Sequence, residues 1–379
     1  MFDYEITRMI WWVLIGVLFI GFAVTDGFDM GVGALLPIIG KDDVDRRVMI
    51  NSVAPHWDGN QVWLITGAGA LFAAWPTVYA VAFSGFYIAM MLTLFALYLR
   101  PVGFDYRSKI TNPKWRSTWD WALFLGGFVP PLIIGVAFGN LLQGVPFTLD
   151  EYLRASYQGS FWQLLNPFGL LAGLVCVSMF MLQGATWLQM KTQSELRRRS
   201  AKASQVLAII FWLLFAGAGV WLIYGIDGYL IQSEIVRNAV SDPRNKQVIV
   251  EAGAWLKNYD LYPVIRAFPI IGLVTPLLIV LASKLNRSGW AFFFSSVTVA
   301  MVILTCGTAM FPFVMPSSLE PDFSLTMWDA TASQMSLTVM TVAAGILVPI
   351  VLCYTIWTYY KMHGRLSRKH IEDNQVSLY

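Results

Sequence analysis

The chain has 379 residues, of which 57% are hydrophobic and 13% are charged. A soluble domain carries about 25% charged residues, so this composition leaves too little polar surface for a soluble protein. The 26 basic and 23 acidic side chains nearly cancel, so the net charge of +3 does not indicate a polyanionic partner. The chain is therefore predicted to be an integral membrane protein.

Crossing the hydrocarbon core of a bilayer takes about 20 mostly apolar residues, and nine segments of the chain qualify. They predict an all-α fold with about nine transmembrane helices in a single transmembrane domain, residues 1–379. The second segment is the weakest, because its first half, NSVAPHWDGNQ, is polar. The N-terminus lacks the basic region of a signal peptide, so the first segment is predicted to be an uncleaved helix. The nine segments are residues 10–38, 50–73, 78–99, 118–142, 161–186, 205–226, 261–283, 289–312 and 335–360.

The distribution of Lys and Arg supports the weak second segment. With nine spans, most basic loop residues fall on one side of the membrane; without residues 50–73 as a span, the basic loop 39–49 would change sides. Cytoplasmic loops are enriched in Lys and Arg, so the N-terminus is predicted to be periplasmic and the C-terminus cytoplasmic. In this topology residues 227–260 form the longest periplasmic loop, and residues 361–379 form a basic cytoplasmic tail.

Four acidic residues are predicted to lie in or beside the cytoplasmic half of the membrane. Asp26 and Asp29 are near the inner end of the first span, on one helix face because of their i, i+3 spacing. Asp58 is predicted to lie about 12 Å into the second span, on the rise of 1.5 Å per residue. Ionisable groups at such depths mark functional sites by default, and a proton path is one use of them. Asp105 at the cytoplasmic surface is the predicted mouth, with Asp58, Asp29 and Asp26 further in. The predicted supporting residues are His56, Asn60 and Gln61.

Other interpretations of these acids stay open at this point. One is that they cap helix ends, pair with Arg46, Arg47 or Arg100, or hydrogen-bond to neighbouring backbone, and only support packing. Another is that Asp26, Asp29 and Asp58 bind the coupling ion of a secondary transporter, a class whose helices are broken at matching positions of two repeats. The stretch TDGFDMGVG is one candidate break, and the other half of the chain has no counterpart.

The histidine and cysteine content argues against a redox cofactor bound by this chain. Membrane haems need axial ligands such as His, Met or Cys. Of the three histidines, His363 and His370 fall in the predicted tail and leave His56 alone in the membrane. The three cysteines lie singly in apolar stretches. We therefore expect no metal site and no haem with axial ligands from this chain, and we place any redox chemistry in a partner.

Long stretches of the sequence resemble subunit II of the bacterial cytochrome bd ubiquinol oxidases, over essentially the whole chain. Dispersed matches of this length are far more specific than a short motif. They include GFAVTDGFDMGVG (21–33), NSVAPHWDGNQVWL (51–64), ALFAAWP (70–76), RPVGFDYRSK (100–109), GVAFGNLLQGVPF (135–147), LLNPFGLLAG (164–173), AMFPFVMPSS (309–318) and SLTMWDATASQ (324–334).

The resemblance implies a function for the chain as one subunit of a respiratory enzyme of the bacterial cytoplasmic (inner) membrane. The oxidase oxidises quinol and reduces dioxygen to water with protons from the cytoplasm. A haem-bearing subunit I would hold haems b and d, and this chain would form two four-helix bundles plus a peripheral helix. Small single-helix accessory subunits and a structural quinone occur in the family. The residues matching Asp105 and Asp58 are expected to line a proton path at the subunit interface.

Overall fold

The structure is a computed structural model that describes residues 3–374 and residue 378. Its described part is mainly α-helical, and eight of the helical segments are long and apolar enough to cross a membrane. The helices are α1 (Tyr4–Ile39), α2 (Asp43–Val53), α3 (Trp57–Ala74), α4 (Pro76–Gly85), α5 (Tyr87–Tyr106), α6 (Pro113–Gln143), α7 (Phe161–Leu164), α8 (Pro167–Lys191), α9 (Ser194–Gly225), α10 (Lys257–Leu261), α11 (Ala267–Lys284), α12 (Ser288–Met310), α13 (Gln334–Lys361) and α14 (Arg368–Asp373).

The predicted second span, residues 50–73, is not one continuous helix. Helix α2 ends at Val53 and α3 begins at Trp57, with Pro55 between them. A proline has no N–H to donate and its ring clashes with the preceding turn, so the break has a local cause. The predicted third span is also divided, at Phe86 between α4 and α5. Helix α3 is not among the eight segments above, and the number of nine spans stays a prediction.

Helix α1 lies at the centre of the structure, packed against α3, α6, α8 and α12. At its crossing with α8, a Cβ atom added to Gly31 would lie 2.0 Å from the carbonyl oxygen of Phe180. At its crossing with α6, a Cβ atom on Gly127 would lie 2.2 Å from the carbonyl oxygen of Met30. These contacts admit only glycine, and they hold the inner half of α1 away from the surface of the chain.

The outer side, which is the predicted periplasmic side, carries three antiparallel hairpins. Within the predicted longest loop, β3 (Asp227–Ile231) pairs with β4 (Val248–Ala252) in the register Asp227↔Ala252. Arg8, at the start of α1, is fully buried under this side and donates a 3.0 Å hydrogen bond to the carbonyl of Ala239. The other hairpins are β1 (Phe147–Leu149) with β2 (Ala155–Tyr157), and β5 (Phe313–Met315) with β6 (Leu325–Thr326).

The predicted basic tail, residues 361–379, folds back onto the inner side instead of leaving the structure. Ile371 of α14 is buried in an apolar cluster that includes Val48 of α2. Arg368 donates hydrogen bonds of 2.8 Å to Asp42 and to Asp45, at the start of α2. Residues 375–377 and 379 of the predicted tail lie outside the described residues.

Candidate functional site

The two acids of α1 are completely buried, and one of them is neutralised inside the chain. Asp26 and Asp29 both have 0% exposed surface. Arg100 of α5 donates to both carboxylate oxygens of Asp26, with Nη1 at 3.0 Å from Oδ2. Such a two-bond pairing of guanidinium and carboxylate is strong and fixed in geometry. Ion pairing with Arg100, one of the open interpretations of the sequence, is therefore what the structure shows for Asp26.

Asp29 has a different environment, in which no cation binds it directly. The Nδ2 group of Asn60 donates to Asp29 Oδ2 at 2.8 Å. The hydroxyl of Tyr359, on α13, donates in turn to Asn60 Oδ1 at 2.7 Å. The other oxygen, Asp29 Oδ1, is buried and has no hydrogen-bond partner among the described residues. Of the two buried carboxylates, Asp26 alone is bonded to the guanidinium, and one oxygen of Asp29 has no partner among the described residues.

His56 and Gln61, predicted to support Asp58, are placed differently from each other. His56 is buried, and its ring stacks on the ring of Tyr359 with centroids 4.1 Å apart and planes 9° apart. Trp187 of α8 contacts the same His56 ring edge-on, with centroids 6.3 Å apart. Gln61 is half-buried on α3. Among the described residues, no group of three or more His, Cys, Asp and Glu side chains is placed to hold a metal ion.

Asp58 and Asp105 lie on the outside of the chain, unlike the acids of α1. Asp58 is in the first turn of α3 and is exposed, so it does not lie eight residues into one continuous helix, as the predicted depth assumed. Its place at a helix N-terminus favours the carboxylate, because the helix dipole is positive there. Asp105 is exposed in the last turn of α5, because this helix continues beyond the end of the predicted span at residue 99. No ion pair or side-chain hydrogen bond to either carboxylate comes from the described part of the chain.

The two exposed acids lie on two helices that meet at one ring contact, and we call the exposed surface of these two helices the α3–α5 face. The rings of Trp57 and Phe104 contact each other with centroids 5.3 Å apart, and each acid follows one of these rings in sequence. The rest of this surface is apolar and unsuited to water. Its large exposed side chains are Val62 and Ile65 of α3, and Ile88, Leu92, Phe95, Tyr98, Val102 and Tyr106 of α5. The α3–α5 face therefore combines two carboxylates with apolar surroundings.

A third group of charges, not found by sequence analysis, holds the inner end of α5. Asp120 of α6 is 1% exposed and accepts hydrogen bonds from Arg107 at 2.5 Å and from Arg46 at 2.6 Å. Arg107 also donates to Asp43 at 3.0 Å. These ion pairs tie the end of α5 to α2 and α6, two residues beyond Asp105. The sequence offers no signal for them, because the basic inner loops contain several equivalent candidates.

Comparison with known proteins matches this chain to one family. Residues 7–362 match the family model described as cytochrome bd terminal oxidase subunit II. The chain belongs to this family. It is 62% identical to cytochrome bd-I ubiquinol oxidase subunit 2 of Escherichia coli (strain K12), over the full length of both chains. It is 32% identical to cytochrome bd ubiquinol oxidase subunit 2 of Bacillus subtilis, over 95% of this chain and 97% of the relative.

A solved structure supports the fold of this bd oxidase subunit II. The bd oxidase from Geobacillus thermodenitrificans matches with a TM-score of 0.68 and 14% identity, covering 94% of this chain and 98% of that chain. The resemblance noted in the sequence is thus confirmed. The protein is a multi-pass protein of the bacterial inner membrane and part of an oxidoreductase complex, whose subunit II implies a subunit I. This membership favours the oxidase over the secondary transporter.

Proposed function

We propose that this chain is the haem-free subunit of a bd-type quinol:dioxygen oxidoreductase and that it conducts cytoplasmic protons towards its partner's oxygen-reduction site. The observation that carries the proposal is the α3–α5 face, with Asp58 and Asp105 exposed on an apolar surface. The acids lie in the inner half of the chain, where the basic loops place the cytoplasm. Quinol oxidation and dioxygen reduction belong to the haem-bearing subunit I.

The cost of exposing these acids supports a partner at this face. A charged side chain at the centre of a bilayer costs about 2.5–3.5 kcal/mol on insertion scales, and less near the ends of a span. Lipid against Asp58 and Asp105 would therefore be unfavourable, whereas a second protein can offer polar groups and bridging water. We accordingly assign the α3–α5 face as the surface that subunit I covers. Its large apolar side chains suit a permanent interface.

The proposed path runs along the α3–α5 face and then inward. Asp105 lies at the inner end of α5 and takes protons from the cytoplasm. Asp58 is the next carboxylate, on the far side of the contact between Trp57 and Phe104. Asp29 is reached through the same turn of α3, because Asn60 lies two residues after Asp58 and donates to Asp29. Asp26 is less suited to exchange, since Arg100 occupies both of its oxygens.

The cofactors of the complex are placed in the partner. The described part of this chain has no metal-binding group of side chains, and its buried histidine is packed against Tyr359 and Trp187. We assign haems b and d to subunit I, as the family resemblance implies. A structural quinone and single-helix accessory subunits remain proposals from the family resemblance, and we assign them no contacts on this chain.

The experiment that tests the proposal uses the complete oxidase with single substitutions on the α3–α5 face. Asp58→Asn and Asp105→Asn are each expected to lower quinol oxidase turnover about tenfold or more, as positioned proton-transfer groups contribute at least that much. The reduced-minus-oxidised haem spectrum should stay unchanged. Glu372→Gln, which alters an exposed acid of α14, is the matched control. Normal turnover in both Asp variants would reject the path, and purification of the chain without a haem-bearing partner would reject the complex.

A further inference from the structure

Tyr359 is the point at which helix α13 reaches the buried acids. The membrane-spanning part of α13 buries none of its residues against the rest of the chain. Near its inner end, however, the Tyr359 ring packs face to face on His56 and edge-on to Phe28 and Trp187, with centroids 6.4 and 6.2 Å away. Helix α13 therefore contacts the interior at its two ends, through Leu337 at the outer end and through the Tyr359 ring at the inner end.

The hydroxyl of Tyr359 fixes the Asn60 amide in place. An asparagine side chain has a donor and an acceptor end of nearly the same shape, so its neighbours select the orientation. The Asp29 carboxylate accepts from Nδ2 at 2.8 Å, and the Tyr359 hydroxyl donates to Oδ1 at 2.7 Å on the opposite end. Without the hydroxyl, the amide is held at one end only, and Asn60 can rotate away from Asp29.

The consequence for Asp29 is that its two oxygens are unequal. Oδ2 is occupied by the Asn60 amide, and Oδ1 is buried with no hydrogen-bond partner in the described part of the chain. A buried polar atom without a partner costs free energy, so native structures keep few of them. The charged groups around this oxygen are Asp26 and Arg100, and those two are bonded to each other. Oδ1 is therefore the one carboxylate oxygen of this pair that is open to a proton.

We propose that Tyr359 is a positioning residue of the proton path: it orients Asn60, which holds Asp29 Oδ2 and leaves Oδ1 to exchange protons. The inference rests on the proposed function, because it assigns a role within that path. It adds α13, which lies almost 300 residues from Asn60 in sequence, to the elements that control proton transfer. Neither Tyr359 nor Asn60 carries the proton.

The test compares Tyr359→Phe with Tyr360→Phe in the complete oxidase. The first substitution removes only the hydroxyl that orients Asn60, and the second alters a neighbouring tyrosine with 70% exposed surface. We expect Tyr359→Phe to lower turnover about threefold to tenfold, a loss typical of one hydrogen bond between neutral groups. We also expect it to move the pH dependence of turnover to higher pH, because the Asp29 carboxylate loses a donor. Tyr360→Phe should change neither.

A double substitution separates positioning from a structural role. Asn60→Leu breaks the same link, so the Tyr359→Phe and Asn60→Leu effects on turnover should not multiply when combined. A Tyr359→Phe oxidase with lowered thermal stability but the pH profile of the Tyr360→Phe control would overturn the inference. If Asp58→Asn is slow and Tyr359→Phe is normal, the positioning role alone fails. If Asp58→Asn is also normal, the proposed function fails first.

Discussion

The acids of α1 and the acids of the α3–α5 face lie in the same half of the molecule but in opposite environments. Asp26 and Asp29 are completely buried, and their partners Arg100 and Asn60 belong to this chain. Asp58 and Asp105 are exposed among apolar side chains, and the described residues provide them with no partner. The first pair is completed by folding, whereas we propose that the second pair is completed by another protein.

The difference separates two contributions of a carboxylate to a membrane protein. A charge that is paired inside the chain stabilises or destabilises the fold, and its loss is measured in unfolding. A charge exposed towards a partner affects the fold little, and its loss is measured in the activity of the complex. Substitutions in the two regions should therefore separate changes in the free energy of unfolding from changes in turnover.

Removal of Arg100 should cause the largest loss of stability. Arg100→Met leaves Asp26 buried without its ion partner, which typically costs about 3–5 kcal/mol. The matched control is Arg198→Met, because Arg198 forms a solvent-exposed pair with Glu195, and such pairs contribute little to stability. Chemical unfolding of the purified oxidase measures both. Equal free energies of unfolding in the two variants would show that the ion pair of Arg100 and Asp26 does not stabilise the fold.

Removal of the Asn60 amide should have an intermediate effect. Asn60→Leu takes the only described hydrogen bond from Asp29 and also leaves the Tyr359 hydroxyl without its acceptor. A buried polar group that loses its partner costs about 1–3 kcal/mol. The same unfolding experiment should place this variant between Arg100→Met and the wild-type protein. An Asn60→Leu protein as stable as the wild type would mean that water replaces the amide at Asp29.

The tail on the inner side should detach at low pH with a small change in stability. Burial raises the pKa of the Asp42 carboxyl, but the hydrogen bond from the Asp45 amide and the Arg368 guanidinium outweigh it and leave the pKa below its ordinary value. A lowered pKa in the folded state stabilises the fold at neutral pH, and this contribution is lost as the pH falls below the ordinary value. Because the pair of Arg368 and Asp42 is half exposed, it contributes about 1 kcal/mol or less to the free energy of unfolding.

Limited proteolysis between α13 and α14 measures this detachment. Cleavage of the wild-type tail should accelerate below pH 4 relative to neutral pH, at about the ordinary pKa of aspartate. The Arg368→Gln tail should be cleaved faster already at neutral pH, with a weaker dependence on acid. The same pH response in wild type and Arg368→Gln would show that protonation of Asp42 does not cause the tail to detach.

Substitution of Asp58 should change stability least. Asp58→Asn replaces an exposed side chain with no partner in the described residues, so the free energy of unfolding should move by no more than about 0.5 kcal/mol. Turnover, by contrast, should fall strongly. An Asp58→Asn oxidase that loses stability as much as Arg100→Met would place Asp58 with the buried acids and would contradict the comparison.

The apolar segments and the family resemblance were enough to predict a helical membrane protein, because span length follows from bilayer thickness. The same criterion did not detect the break within residues 50–73, where Pro55 separates α2 from α3 and Asp58 lies in the first turn of α3. Hydropathy averages over a window and does not register one missing N–H group.

The partners of the acids were less predictable than their positions. Arg100 could be named as one of three candidates for an ion pair, since it lies at the end of a predicted span. Tyr359 could not, because almost 300 residues separate it from Asn60 and only packing brings them together. Packing also decides which acids are buried and which are exposed. Spacing alone assigns residues to a helix face and does not say what that face contacts.

Turnover of the oxidase that carries both Asp58→Asn and Asp105→Asn tests the central claim most directly. Two stations in series on one path limit the rate together, so the double variant should be about as slow as the slower single variant, with an unchanged haem spectrum. A double variant in which the two single losses multiply would contradict the account, because it would show that the two acids act independently.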